Sequence, residues 1–221
     1  MGPNQGGAGL PEGHRVLKTG LRSVIIAVAA ILSMALAGCT TDGAGRMFAS
    51  DYSSVTDAGY QLPAVSLQQL PSQFRRQTVD YETRERPGTI VVDTENKFLY
   101  LVQEDGKALR YGIGVGREGF EWKGTNRVSR KASWPGWTPP PAMRARERAR
   151  GNVLPAHMEG GPANPLGARA LYIGSTIYRI HGTPEVHSIG QAMSSGCIRL
   201  INQDIIDLYN RVDVGARVVV M

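Results

Sequence analysis

Two residues of this chain have the type and setting for covalent chemistry. Cys197 lies in "SSGCIRL" (Ser194 to Leu200), and His181 lies sixteen positions earlier in "YRIHGT". A thiol with a pKa of about 8.5 is mostly protonated at neutral pH and is a poor nucleophile. An imidazole beside it can take the proton and leave a thiolate able to attack carbonyl carbon. Gly196 lacks a side chain, so backbone N–H groups around Cys197 can face a developing oxyanion, a contact whose loss costs roughly 3 kcal/mol. Gly182 leaves the backbone after His181 open to approach. Against this, a single cysteine and a single histidine are each more often core residues. On chemistry alone, covalent acyl transfer and a structural pair stand level.

The N-terminus bears on that balance. Arg15, Lys18 and Arg22 precede "SVIIAVAAILSMALAGC", an uncharged apolar run from Ser23 to Cys39. A basic region, an apolar stretch and then small residues form the layout of a secretory signal peptide. The run is slightly short of the roughly 20 residues a membrane-spanning helix needs. "LAGC" (Leu36 to Cys39) resembles the lipobox of bacterial lipoproteins, whose cysteine is lipidated, and "ALA" at 35–37 also fits an ordinary cleavage site. The expectation is a signal peptide over 1–38, lipidation at Cys39, and a periplasmic protein held to the membrane by its N-terminal lipid. Because the chain has two cysteines, losing or lipidating Cys39 leaves Cys197 without a partner, which suggests a reactive thiol or an intermolecular bridge.

The elements that must position these residues can be read coarsely. With 221 residues, 42% of them hydrophobic and 20% charged, the chain has material for one sizeable core and fits neither whole-chain disorder nor a polytopic membrane protein. A net charge of +6 suggests attraction to anionic surfaces, whether nucleic acid, lipid or wall polymer. Residues 39–86 show no sustained period and read as a tether with one short helix. From Thr89 onward, β-branched and aromatic runs are broken by "DTEN" and "EDGK", two hairpin turns. Strand-like pieces recur at "RVSRKAS", "ALYIG", "IYRIHG" and "RVVVM". In "NQDIIDLYNRV", Asn202 can cap a helix whose apolar face holds Ile205, Ile206, Leu208, Tyr209 and Val212. The expected fold is a mainly β domain over 87–221, sandwich- or barrel-like, with one or two packed helices. The stretch from Trp134 to Gly167 is long and rich in Pro and Gly, as in lids and binding walls. Within it, "RARERAR" reads as a solvated helical face.

Other motifs carry less. "GVGREG" (Gly114 to Gly119) satisfies G-x-G-x-x-G, but strand-like sequence follows where a dinucleotide site needs a helix. His14 falls in the signal segment, and His157, His181, His187 and Cys197 lack zinc spacing. No metal and no cofactor is expected.

"IHGT…SSGCIRL…D" resembles the signature of the L,D-transpeptidase (YkuD-like) family, with similarity running from Gly88 to Met221. The resemblance implies a β-rich fold with Cys197 as acyl-accepting nucleophile and His181 as base. It also implies that the Gly182 carbonyl orients the imidazole and that Arg199 fixes the loop or faces a substrate carboxylate. Many members have histidine where this chain has Ser195, which could donate a hydrogen bond instead. The implied substrates are peptidoglycan stem peptides, not nucleic acid. D-Ala would leave, and an amine of a second stem or of an outer-membrane protein would accept the acyl group. Trp134, Trp137, Met143 and Tyr172 are candidates for the substrate wall and equally for the core. His187 is a secondary candidate base in what reads as an exposed turn. The rival readings are a peptidoglycan-tethering lipoprotein with an inert Cys197, and a carboxypeptidase or cysteine peptidase acting on stem peptides.

Overall fold

The computed structural model describes Gly2, residues 52–117 and residues 122–221. Cys39 and nearly all of the signal segment lie outside the described residues. In chain order the elements are β1 (Val55–Asp57), β2 (Tyr60–Leu62), β3 (Gln77–Asp80), β4 (Ile90–Asp93), β5 (Phe98–Val102), β6 (Lys107–Gly112), β7 (Val115–Gly116) and β8 (Gly124–Ser133). They continue with α1 (Pro141–Ala149), β9 (Arg169–Ile173), β10 (Arg179–Thr183), β11 (Ala192–Ser194), β12 (Ile198–Ile201), α2 (Asn202–Arg211) and β13 (Arg217–Val220). Nine strands form one sheet in the order β12-β10-β9-β8-β13-β4-β5-β6-β3, and β1–β2 and β11–β7 pair separately. The described residues are thus mainly β with two α-helices, in line with the expected fold class.

Both hairpin turns fall where the sequence places them. "DTEN" joins β4 to β5, with the Asn96 N–H donating to Asp93 Oδ1 at 2.9 Å. "EDGK" joins β5 to β6 with Asp105 and Gly106 both at positive φ (57° and 66°), and such a pair matches the right-handed twist of the strands it connects. The terminal β13 runs parallel to β4 and antiparallel to β8, joining the N-terminal meander to the strands that bear Cys197 and His181. Ile205 and Leu208 of α2 are fully buried in the same core as Leu171, Ile180 and Leu200. The helix cap differs from expectation. Ile201 occupies that position, while Asn202 Oδ1 accepts the Ala168 N–H at 2.9 Å and pins the chain entering β9.

Residues 52–86 are not a tether. In this stretch β3 pairs antiparallel with β6, and Tyr52, Leu62 and Leu70 are buried. Asp57 receives both terminal nitrogens of Arg169, at 2.6 and 2.7 Å, together with the indole N–H of Trp134 at 2.7 Å. Arg76 pairs with Asp207 at 3.1 Å. The expected short helix is a single 3-10 turn, Ser72–Phe74. These strands are three or four residues long, too short for a local period to mark them; β1 and β2 pair only with each other, and β3 takes its partner about 30 positions on, in β6.

Candidate active site

Strands β10 and β12 lie side by side and parallel, with Ile180 opposite Ile198 and His181 opposite Arg199. Side chains alternate between the faces of a strand. Ile180, Ile198 and Leu200 therefore point into the core, where all are buried. Arg179, His181 and Arg199 share the other face, and Cys197, one residue before β12, falls opposite Arg179. These four residues line a groove of about 470 Å³. The long stretch after β8 also lines it, through Trp137 and, on α1, Met143 and Arg146.

His181 is buried, at 5% exposure, and its Nδ1 lies 2.6 Å from the Gly182 carbonyl oxygen. A carbonyl oxygen can only accept, so Nδ1 carries the proton and Nε2 keeps the lone pair. Burial, the largest influence, lowers the pKa of the ring to about 4; Arg199 and Arg179 push the same way, while the Gly182 and Leu166 carbonyls oppose them. Gly182 is needed for close packing, not openness. A Cβ there would come within 2.4 Å of Asn202 Oδ1 and 3.0 Å of the Ala168 nitrogen.

Cys197 is half-buried and is the free cysteine among the described residues. Burial raises its pKa, and the backbone N–H and guanidinium of Arg179, then the charge of Arg199, oppose that rise. A lowered imidazole and a raised thiol both favour the neutral forms of the two groups.

The loop before the thiol is braced internally. Gly196 has φ +110°, a conformation open to glycine. Its N–H donates to Ser194 Oγ at 3.1 Å, and that hydroxyl donates to the Cys197 carbonyl at 2.6 Å. The Gly196 N–H is thereby engaged and leaves the set of donors available to an oxyanion. Ser195 lines the groove, and its Oγ accepts from Arg146 Nη2 at 3.3 Å. One arginine of the "RARERAR" helix thus faces the groove instead of solvent.

Arg199 is held at both ends. Its backbone exchanges hydrogen bonds with Gly114, at 2.8 and 2.9 Å, and Nη1 meets Glu185 Oε2 at 3.2 Å. Its Nε and Nη2 are buried and have no hydrogen-bond partner among the described residues. Two unsatisfied donors of a fork-shaped cation suit a carboxylate. A Cβ on Gly114 would lie 2.5 Å from the Ser188 carbonyl oxygen, so this glycine of "GVGREG" serves packing behind the site. The next described element is strand β8, and Gly119 lies outside the described residues.

Two expected wall residues are elsewhere. Trp134 is buried with Leu62 and Ala168, held by Asp57, because its indole N–H has an acid to satisfy it behind the groove. Tyr172 on β9 is outside the groove lining, its ring covered by Arg130 at 3.6 Å and approached by Arg179 at 5.2 Å. His187 is exposed on the 3-10 turn Val186–Ser188 and does not line the groove. Arg179, Arg146 and Glu185 were missed by sequence reasoning. For Arg179 a signal existed, since it lies two positions before His181 on a strand and must share its face.

A fold and site of this kind define a class, and comparison with known proteins agrees. Residues 87–220 match the model of the YkuD L,D-transpeptidase catalytic domain, and the chain belongs to that family. It is 41% identical over 135 residues to "Probable L,D-transpeptidase YbiS" of Escherichia coli K12, covering 59% of this chain and 43% of the relative. It is 42% identical over 137 residues to "Probable L,D-transpeptidase ErfK/SrfK" of the same strain, covering 60% and 43%. The chain thus spans less than half the length of these relatives. A crystal structure from Brucella melitensis, described as a probable carnitine operon oxidoreductase, is 45% identical and covers 68% of this chain and 96% of that one, with a TM-score of 0.46.

Proposed function

We propose that this chain is an exported peptidoglycan L,D-transpeptidase in which Cys197 is the nucleophile and His181 the base. The observation that carries the reading is the placement of both residues on one face of two adjacent parallel strands, lining a common groove. As the Cys197 sulfur attacks the carbonyl at the L-centre of the third stem residue, His181 Nε2 takes the thiol proton. The tetrahedral intermediate collapses to a thioester, and D-Ala leaves with that proton on its amine. An acceptor amine then attacks the thioester, giving its proton to His181, and the departing sulfur recovers it. Arg199, with two buried donors, takes a substrate carboxylate. Trp137 and Met143 supply the apolar wall. The acceptor is an amine of a second stem or of an outer-membrane protein. Export through residues 1–38 and lipid attachment at Cys39 complete the proposal.

A β-lactam carbonyl is a strained acyl donor, so a carbapenem tests the nucleophile directly. The expected result is a stoichiometric adduct by intact mass that is absent in Cys197→Ala, together with release of free D-Ala from a tetrapeptide stem. A folded wild-type protein that forms no adduct and releases no D-Ala would support the tethering reading instead. Soluble periplasmic protein is expected from Cys39→Ala, and persistent membrane retention would remove the lipid attachment.

A further inference from the structure

Across the groove face of the sheet, four residues from neighbouring strands form one row. Arg130 on β8 is paired with Tyr172 on β9, Tyr172 with Arg179 on β10, and Arg179 falls beside Cys197 because Ile180 pairs with Ile198. The Tyr172 ring has the Arg130 guanidinium 3.6 Å from its centroid and that of Arg179 at 5.2 Å. A cation over an aromatic face is attracted to it, so the ring restrains Arg179 from the side away from the sulfur. Arg179 Nε is buried with no hydrogen-bond partner among the described residues, and Arg179 lines the groove with Cys197.

We propose that Arg179 is a catalytic residue whose guanidinium stabilises the negative charge arising on the Cys197 sulfur as the thiol yields its proton, with Tyr172 and Arg130 as positioning residues behind it. The role rests on the reading of Cys197 as nucleophile. It answers a need set by burial, because a half-buried thiol facing a neutral imidazole has no counter-charge in that imidazole until the proton has moved. Arg179 is the cation that bears on the thiol through both its backbone N–H and its side chain. The other charged or titratable groups lining the groove with Cys197 are Tyr178 just before β10, His181 on β10, Arg199 on β12, Glu185 after β10 and Arg146 on α1. Of these, Arg199 is engaged by Glu185, and Arg146 reaches Ser195.

The test is the pH dependence of Cys197 alkylation by iodoacetamide in the full chain, followed on the Cys197 peptide by mass spectrometry. This probe is neutral and has no carboxylate, so it separates thiolate stabilisation from substrate binding. It also needs no transpeptidase activity, so the result stands apart from the carbapenem and D-Ala assays. Loss of a nearby opposite charge shifts a pKa by about one unit or more. The thiolate fraction falls tenfold per unit, and the greater nucleophilicity of a more basic thiolate offsets this in part. Arg179→Gln is therefore expected to raise the midpoint of the pH–rate curve by about one to two pH units and to slow alkylation at pH 7 by roughly 3- to 15-fold. Arg179→Lys should keep the midpoint near that of wild type. A midpoint unmoved in Arg179→Gln, or equal displacement in the lysine variant, overturns the proposal. Tyr172→Leu keeps the charge and removes the ring behind it, so it remains informative should the glutamine variant fail to fold. A several-fold slower rate at pH 7 supports the role, and an unchanged rate overturns it.

Discussion

The two faces of β10 and β12 carry opposite assignments on the same eight or so residues of chain. One face presents Ile180, Ile198 and Leu200, all buried against α2 and the rest of the core. The other presents Arg179, His181, Cys197 and Arg199 to a groove. Alternation places Ile180 between Arg179 and His181, and Ile198 between Cys197 and Arg199, so burial of the core face fixes which side chains reach the groove. The contrast predicts that groove-face substitutions change rate and core-face substitutions change stability.

The largest separation between the faces is expected at His181. His181→Ala should slow acylation of Cys197 by a factor on the order of 10²–10⁴, the usual contribution of a general base, measured as adduct formation against time. An unchanged rate would erase the difference between the faces. On the core side, Leu200→Ala should cost about 2–5 kcal/mol in chemical denaturation, with the acylation rate of the folded fraction retained. Asp57→Ala breaks a largely buried pair with Arg169 and strips Trp134 of its acceptor. A loss of about 2–4 kcal/mol is expected, and a change within 0.5 kcal/mol would mean that residues 52–62 do not brace the groove wall.

Acid provides a milder probe. The folded pKa of His181, about 4, lies below its ordinary value of about 6.5, so the unfolded chain binds the proton first. Its contribution to stability is complete above pH 6.5 and is lost as pH falls toward 4, with a slope of at most about 1.4 kcal/mol per pH unit. Denaturation midpoints across that window should fall in wild type more steeply than in His181→Gln. The smallest effect is expected at His187, exposed on its 3-10 turn. His187→Ala should leave acylation within about twofold of wild type, and a loss comparable to that of His181→Ala would reassign the base.

What the residues announce on their own is what local rules govern. The turn "EDGK" is legible because Asp and Gly tolerate positive φ, and "DTEN" because an Asp side chain can accept a backbone N–H a few residues on. Helix α2 is legible because Ile205 and Leu208 recur at helical spacing. The cysteine and histidine are legible because few side chains can do their chemistry. Tertiary structure alone decided the rest. Asp57 and Arg169 are 112 positions apart, and nothing near either residue reports the other, so residues 52–86 read as a tether while β3 in fact adds an edge strand to the sheet and Asp57 ties β1 to the start of β9. Trp134 and Tyr172 looked like groove residues by type, yet one satisfies an acid behind the groove and the other backs an arginine. Arg179 stands beside the thiol because of the register between two strands. Register is a pairing of distant segments fixed by the burial of whole faces, and a chain read one window at a time does not contain it.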